Sequence, residues 1–294
     1  MKKDGNKILF SQQTSYFLPP TSYFFILKKS IMKLKYTTLE TEITNQTATV
    51  WLNRPQIHNA FNEVMISEVL EIFTEIGKMD DIRIVLLRGR GKSFCAGADL
   101  NWMRDVATYS YEQNYKESLQ LSECFYAIYN CPKPTIAVVH GAAIGGANGL
   151  LAACDMAICD DETVFSLSEV KIGIVPACIS PYVIKRVGEY GARELMLTGK
   201  RIKGKEAEHF RLVNKSLPAD ALENHLNELI ALLMSSGPKA MTHCKNLIDE
   251  VCNKIDLEEA LGFTARMIAE IRASEEGQEG MAAFLEKRKA KWNL

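Results

Sequence analysis

The chain has 294 residues, of which 47% are hydrophobic and 24% charged, and its formal net charge is -1. That length suits one large globular domain, or one and a half, with enough chain to bury a substantial core. The near-neutral balance argues against nucleic acid or an anionic membrane as the main partner, because both reward a basic excess.

The first thirty residues, "MKKDGNKILFSQQTSYFLPPTSYFFILKKS", show no stable periodicity. Pro19-Pro20 interrupts the apolar run a signal peptide would need, and the absence of arginine argues against a transit peptide. Residues 1–31 are expected to be a disordered tail or a mis-assigned start, with Met32 opening the folded chain.

From there strands and helices alternate. "TATVWLN" (47–53) reads as a strand stopped by Arg54-Pro55. "NEVMISEVLEIFTEIGKM" (62–79) spaces its apolar residues as a helix does. "IRIVLLRG" (82–89) reads as a strand entering a glycine turn, and "DLNWMRDV" as a helix capped by Asp99. A longer helix is expected from about Tyr111 to Asn130. "PTIAVVHG" (134–141) is the next strand, with a helix starting in "GGANGLLAACD". "MAICD" and "TVFSLS" read as short strands, "GARELMLTG" and "GKEAEHFRL" as helices, and "LVNKSLP" as a strand. Beyond Leu222 the pattern is helical to Trp292, broken at Ser235–Pro238. The expectation is an α/β core over 32–220 and a helical C-terminal region over 221–294.

From Pro134 to Cys154 no residue is charged, long enough to suggest a membrane span. The stretch holds His140, Asn148 and four glycines and ends at Asp155, a density of small residues that suits close packing in a core. No membrane partner is expected. The eight cysteines include no C-x-x-C pair, and Cys154, Cys159 and Cys178 lie in apolar runs. They read as buried small hydrophobes in a reducing compartment, the cytoplasm. The five histidines are scattered, so no metal is implied.

Two strand-to-helix junctions are built alike: "GKSFCAGADL" (91–100) and "HGAAIGGANGL" (140–150). A helix start presents unpaired N–H groups, and small residues let a ligand oxygen approach them. Two such junctions side by side can form an oxyanion hole from the main chain. Each cluster taken alone can also be a tight turn with close helix–sheet packing. "GRGKS" (89–93) lacks the first glycine of a phosphate loop, since Leu86 stands there, and "GGANG" lacks the G-x-G of a dinucleotide fold. In "FSLSEVKIGIVPA" (165–177), Glu169 has apolar neighbours, where a carboxylate can take a raised pKa and act as acid or base. Its alternative is a solvated loop glutamate.

Taken in order, "NRPQIHNAFN", "GKSFCAGADL", "VHGAAIGGANGL", "LSEVKIGIVP" and "EEGQEGMAAFLEKRKAKW" resemble the crotonase, or enoyl-CoA hydratase/isomerase, superfamily from about Thr38 to Trp292. The look is closest to methylglutaconyl-CoA hydratase-like enzymes. The resemblance implies an α/β spiral of ββα repeats, a helical C-terminal region that aids assembly as a homotrimer or dimer of trimers, and acyl-CoA thioester substrates. Coenzyme A comes as part of the substrate, with no other cofactor. By motif, the backbone N–H groups of Ala98 and Gly146 would hold the thioester oxygen. Arg54, His58 and Ala60, with Ala96, Asp99, Leu100 and Gly145, would line the substrate path. Glu169 would take one of the two catalytic glutamate positions of the hydratases.

The chain departs from that pattern at Gly149, where typical hydratases carry their other glutamate. Two chemistries remain for one carboxylate: hydration across the 2,3 double bond, with Ser168 or Asn148 orienting the water, or isomerisation by moving a proton between the α- and γ-carbons. The wider motif similarity favours hydration of 3-methylglutaconyl-CoA or a related branched acyl-CoA. A substrate carboxylate would want a cation, with Lys171, Lys185 and Arg186 as candidates. One relative of this branch binds RNA through a lysine-rich first helix. Here that helix carries Glu63, Glu68, Glu71 and Glu75, which repel a phosphate backbone. "EKRKAK" (286–291) reads as a solvated face or a contact to CoA phosphates.

Overall fold

β1 (Leu39–Thr44) and β2 (Thr47–Leu52) pair antiparallel across a turn whose Asn45 and Gln46 take left-handed backbone conformations. The computed structural model describes residues 36–293, so the expectations for residues 1–31 and for Met32 lie outside the described residues.

From β2 onward the chain repeats one move: a strand in a large sheet, a short extended piece outside it, then a helix. In the first pass the short piece shrinks to Phe61, bridged to Ala98, and the helix is α1 (Glu63–Gly77). In the second, β3 (Ile84–Gly89) leads to Cys95, bridged to Ala143, and then to α2 (Leu100–Val106) and α3 (Tyr111–Tyr129). The third is β4 (Thr135–Val139), β5 (Ala142–Ile144) and α4 (Ala147–Ala153). The fourth is β6 (Met156–Asp160), β7 (Val164–Ser166) and α5 (Ser180–Thr198). β8 (Ile202–Lys203), α6 (Gly204–His209) and β9 (Lys215–Leu217) close the core. The large sheet runs β1-β2-β3-β4-β6-β9, parallel from β2 on, and the small one β5-β7-β8. This is an α/β spiral of ββα repeats.

The uninterrupted apolar runs of β3 and β4 follow from burial on both faces, as parallel sheets require. Val85, Leu87, Ala137 and Val139 point into the main core with α1, α3 and α4. Ile84, Leu86, Ile136 and Val138 point the other way, onto Leu222 and Leu226 of α7 (Leu222–Met234). The charge-free stretch 134–154 thus divides into β4, β5 and α4, and no described helix is long and apolar enough to cross a membrane.

After α7 come α8 (Pro238–Asn253), α9 (Leu257–Ala273) and α10 (Glu275–Leu285). The sequence pattern suggests one break in this region, and the structure has two more. Asp256 closes a capping box with Glu259, and the Ser274 side chain accepts from the Gly277 N–H. α5 also starts earlier than its pattern suggests, at Ser180 with Pro181 in its first turn, and breaks at Gly188 (φ 71°). The buried guanidinium of Arg83, just before β3, donates to the carbonyls of Met234 (3.0 Å), Ser236 (2.5 Å) and Trp292 (3.1 Å), tying the helical region to the sheet. On its other faces that region is apolar and exposed, at Ile248, Leu257, Leu261 and Phe284 among others.

Candidate active site

The two small-residue junctions lie side by side. Phe94 N–H donates to His140 O (2.8 Å), Cys95 N–H to Ala142 O (3.0 Å) and Ile144 N–H to Cys95 O (3.2 Å), so the segments run as a short parallel ladder. Here the structure corrects one expectation: the second junction does not pass straight into a helix, because β5 intervenes. Gly97 (φ 95°) allows the close approach, since a Cβ there would stand 2.8 Å from Ile144 O. Ala98 and Gly146 are half-buried, and among the described residues neither backbone N–H has an acceptor. Sheltered N–H groups left without a partner are rare in folded chains. This pair therefore forms a ready acceptor site for an oxygen.

Glu169 opens a 3-10 turn, Glu169–Ile172, directly after β7. Its Oε1 lies 3.4 Å from where a Cβ on Gly145 would stand, which sets the carboxylate beside the second junction. Its Oε2 is buried with no hydrogen-bond partner among the described residues. Burial raises its pKa, offset only in part by its own backbone N–H. That is the environment of a proton carrier and differs from that of a solvated loop glutamate.

Gly149 sits within α4 against a filled wall. A Cβ there would stand 2.3 Å from Ile179 Cγ2 and 2.9 Å from both Cε1 and Cζ of Phe125, two buried core residues. The place of a second carboxylate is thus taken by apolar side chains. Asn148 does not substitute for it. Its amide donates to the carbonyls of Ala143 (3.2 Å), Gly145 (2.9 Å) and Ser166 (3.0 Å), and the residue is 0% exposed. Its NH2 group thus knits β5 to β7, while its Oδ1 is buried without a hydrogen-bond partner among the described residues. Ser168 is half-buried and precedes Glu169 without a side-chain capping bond.

The other expected residues gather around the first junction. Arg54 donates to Asp99 Oδ2 (2.8 Å) and to Ala60 O (2.6 Å), while Asp99 Oδ1 accepts from Asn101 N–H (2.8 Å) as the cap of α2. Both carboxylate oxygens of Asp99 are therefore engaged within the chain. His58, in a left-handed conformation (φ 53°), accepts at its carbonyl from Ala96 N–H (2.9 Å), and its Nδ1 lies 3.1 Å from Ser93 Oγ. Leu100 is 70% exposed at the start of α2, and Gly145 (φ 56°) donates to Ser166 O (2.7 Å). Asn59 was not singled out from sequence, yet it holds this loop together. Fully buried, it accepts from Arg54 N–H (2.8 Å) and donates to the carbonyls of Arg90 and Ser93 (both 2.8 Å). The signal in the sequence is the asparagine in "HNAFN" itself, a residue type that tolerates the left-handed backbone it takes there (φ 56°).

Burial alone would raise the Asp99 pKa. The Asn101 N–H, then the Arg54 guanidinium, bring it below the ordinary range instead. A carboxyl with a lowered folded-state pKa stabilises above its unfolded pKa and loses that contribution as pH falls through the folded one. Asp99→Asn keeps a capping side chain but loses the ion pair. It is expected to cost about 1–2 kcal/mol at pH 7, shrinking toward zero in acid. Urea melts of both proteins at pH 7 and pH 3 check this; a pH-independent difference would contradict it.

Two of the three candidate cations are committed elsewhere. Arg186 donates to the carbonyls of Ala152 (3.1 Å), Cys154 (2.7 Å) and Leu212 (3.3 Å), and Lys185 reaches the Asn253 side chain. Lys171 is exposed, with its stem lying over Gly199. A cavity of about 900 Å³ opens at the far end of α4, lined by Ala152, Cys154, Asp155, Arg186, Lys245 and Met267 among others. Its lining does not include Glu169, Ala98 or Gly146; within it Lys245 pairs with Asp155 at 2.7 Å and Arg186 is bonded to carbonyls. The "EKRKAK" segment is largely exposed, with Arg288 bound to Glu279 and Glu286.

Comparison with known proteins places this geometry. The enoyl-CoA hydratase/isomerase family description matches residues 42–294. A crystal structure of an enoyl-CoA hydratase from Shewanella pealeana superposes with a TM-score of 0.84 at 39% identity, covering 88% of this chain and 97% of that one. A short-chain-enoyl-CoA hydratase of Clostridium acetobutylicum is 32% identical over 88% of this chain and 97% of its own. A mitochondrial Delta(3,5)-Delta(2,4)-dienoyl-CoA isomerase of Dictyostelium discoideum is 33% identical over 88% of this chain and 92% of its own.

Proposed function

Because this chain belongs to the enoyl-CoA hydratase/isomerase family, we propose that it is an enoyl-CoA hydratase whose proton chemistry is done by Glu169 alone. The observation that carries the reading is a sheltered, unpartnered carboxylate oxygen beside two unpartnered main-chain N–H groups. The N–H groups of Ala98 and Gly146 bind the thioester oxygen. Glu169 takes a proton from water as the water oxygen bonds to the β-carbon. The π electrons move onto the α-carbon and thioester oxygen, giving an enolate held by the two donors. Glu169 then returns the proton to the α-carbon, which regenerates the carboxylate and balances the addition of one water. No resident cofactor is needed, since coenzyme A belongs to the substrate. The loop of Arg54, His58, Ala60, Ala96, Asp99 and Leu100 forms the substrate path, with Arg54 and Asp99 bracing it from within.

The acyl group we assign is a branched enoyl group, 3-methylglutaconyl or a relative, on motif similarity. With Lys185 and Arg186 committed elsewhere, Lys171 is the candidate left to meet a terminal carboxylate of the substrate. The exposed apolar faces of α8–α10 support assembly as a homotrimer or a dimer of trimers, and eight unpaired cysteines suit a reducing cytoplasm.

A second reading is favoured by the filled wall at Gly149: an isomerase that shifts a double bond with one base. Absorbance of the conjugated enoyl thioester separates the two. With 3-methylglutaconyl-CoA, crotonyl-CoA and a 3-enoyl-CoA offered in turn, hydration lowers the band of a conjugated substrate. A rise with the 3-enoyl substrate, and no change with the others, assigns the isomerase instead.

A further inference from the structure

The two N–H donors belong to segments about fifty residues apart, and one residue touches both. Phe61 brackets Ala98 with its backbone: its N–H donates to Gly97 O (2.9 Å) and its carbonyl accepts from Asp99 N–H (2.9 Å). These bonds hold the two peptides around Ala98 and leave the Ala98 N–H pointing away from the Phe61 main chain. The ring of the same residue lies against Gly146, where a Cβ would stand 2.5 Å from Phe61 Cζ and 3.1 Å from Cε1. The ring is 5% exposed and is backed by Trp102, with centroids 5.7 Å apart. The Trp102 indole N–H is in turn bonded to Glu117. Phe61 also lines a small apolar gap with Met65 of α1, Leu121 of α3 and Leu150 of α4.

We infer that Phe61 is a positioning residue that sets the spacing of the Ala98 and Gly146 N–H groups, its backbone fixing one donor and its ring the other. The inference rests on the proposed role of those donors. It assigns to the apolar residue of "HNAFN" a task in catalysis that core packing alone would not require. The glycine at 146 follows from the same contact, because any side chain there would displace the ring. A donor pair held from one residue resists spreading when the thioester oxygen becomes an enolate, and small misplacement of such groups is costly.

The test uses Phe61→Leu, which stays apolar but no longer reaches Gly146. Phe73→Leu, a fully buried phenylalanine of α1 away from the site, serves as a packing control. The probe is cinnamoyl-CoA, whose ultraviolet band shifts to longer wavelength when its carbonyl is polarised, read in the Glu169→Gln background so that no turnover occurs. Phe61→Leu is expected to lose at least about half of the bound-state shift and, with Glu169 restored, to lower kcat about tenfold to a hundredfold with KM little changed. Phe73→Leu should lower the melting temperature comparably and keep the shift. Equal shifts and equal kcat in the two variants would overturn the positioning role while leaving the donors in place. Absence of any shift in Glu169→Gln alone, with the probe shown to bind, would overturn both the donors and the inference.

Discussion

Glu169→Gln is expected to lower kcat by about a thousandfold or more, the upper range for loss of a general base, with binding of CoA products unchanged and folding stability at neutral pH increased. The amide keeps the shape of the side chain, so the Gly145 contact and the substrate path survive. What is lost is a sheltered carboxylate beside the two bare N–H groups, with an oxygen that has no partner among the described residues. The stability gain follows from the raised pKa, caused first by burial. A carboxyl whose folded pKa lies above its unfolded one favours the fold fully only below the unfolded pKa, and loses that advantage as pH rises through the folded value. At neutral pH the wild-type protein therefore holds a charge it would hold more easily unfolded, and glutamine removes that burden. Denaturant titrations at pH 7 and in acid should show the variant ahead at pH 7, with the gap closing at low pH. The same raised pKa moves the acid limb of the wild-type rate profile upward from the ordinary glutamate range. Near-normal turnover in the variant would sink the assignment of Glu169.

Gly149→Glu, the substitution that would write in the missing second carboxylate, is expected to unfold or severely destabilise the protein rather than improve it. The obstacle is space: Gly149 lies in α4 without a left-handed backbone, and its Cβ direction is blocked by Ile179 and Phe125. Overpacking a filled core by a methyl group costs about 1–3 kcal/mol, which sets the expectation for Gly149→Ala. An unpaired carboxylate in the same wall adds several more, on the order of 3–5 kcal/mol. Combining Gly149→Ala with Ile179→Ala should recover part of the loss, and a double-mutant cycle by thermal or chemical melts measures that coupling. A stable, fully folded Gly149→Glu protein would show that Phe125 and Ile179 yield, and would remove the structural reason for one-carboxylate chemistry.

The sequence carried the long elements well because their causes are local. The apolar spacing of 62–79 and the double-sided burial of 84–87 are written in consecutive residues, and so are the Asp99 cap and the small-residue junctions. The capping box at Asp256 is equally local, in "DLEE", but lies within a longer helical pattern that masks it. What stayed hidden depends on contacts between distant segments. β5 is three residues long and exists because β7 and Cys95 pair with it. The ring of Phe61 meets Gly146 across 85 positions, and Gly149 faces Ile179 from the turn before α5. A glycine in sequence announces missing bulk, and only the fold says which neighbour has taken the room. Asn148 shows the converse: its polar side chain suggests a reagent, yet the fold commits its NH2 group to neighbouring carbonyls.

The ladder that joins the two junctions also bears on how such a protein changes over generations. Its donors at Ala98 and Gly146 are main-chain groups, and every residue except proline carries one. Point mutation can crowd or tilt them but can rarely delete them, whereas one base change removes a glutamate. With the two donors in the role proposed for them, a lineage built on this spiral inherits the enolate holder almost as a constant and can gain, lose or relocate its carboxylates around it. Drift in the side chains then moves a descendant between reactions that share an enolate, without any intermediate that binds the thioester poorly.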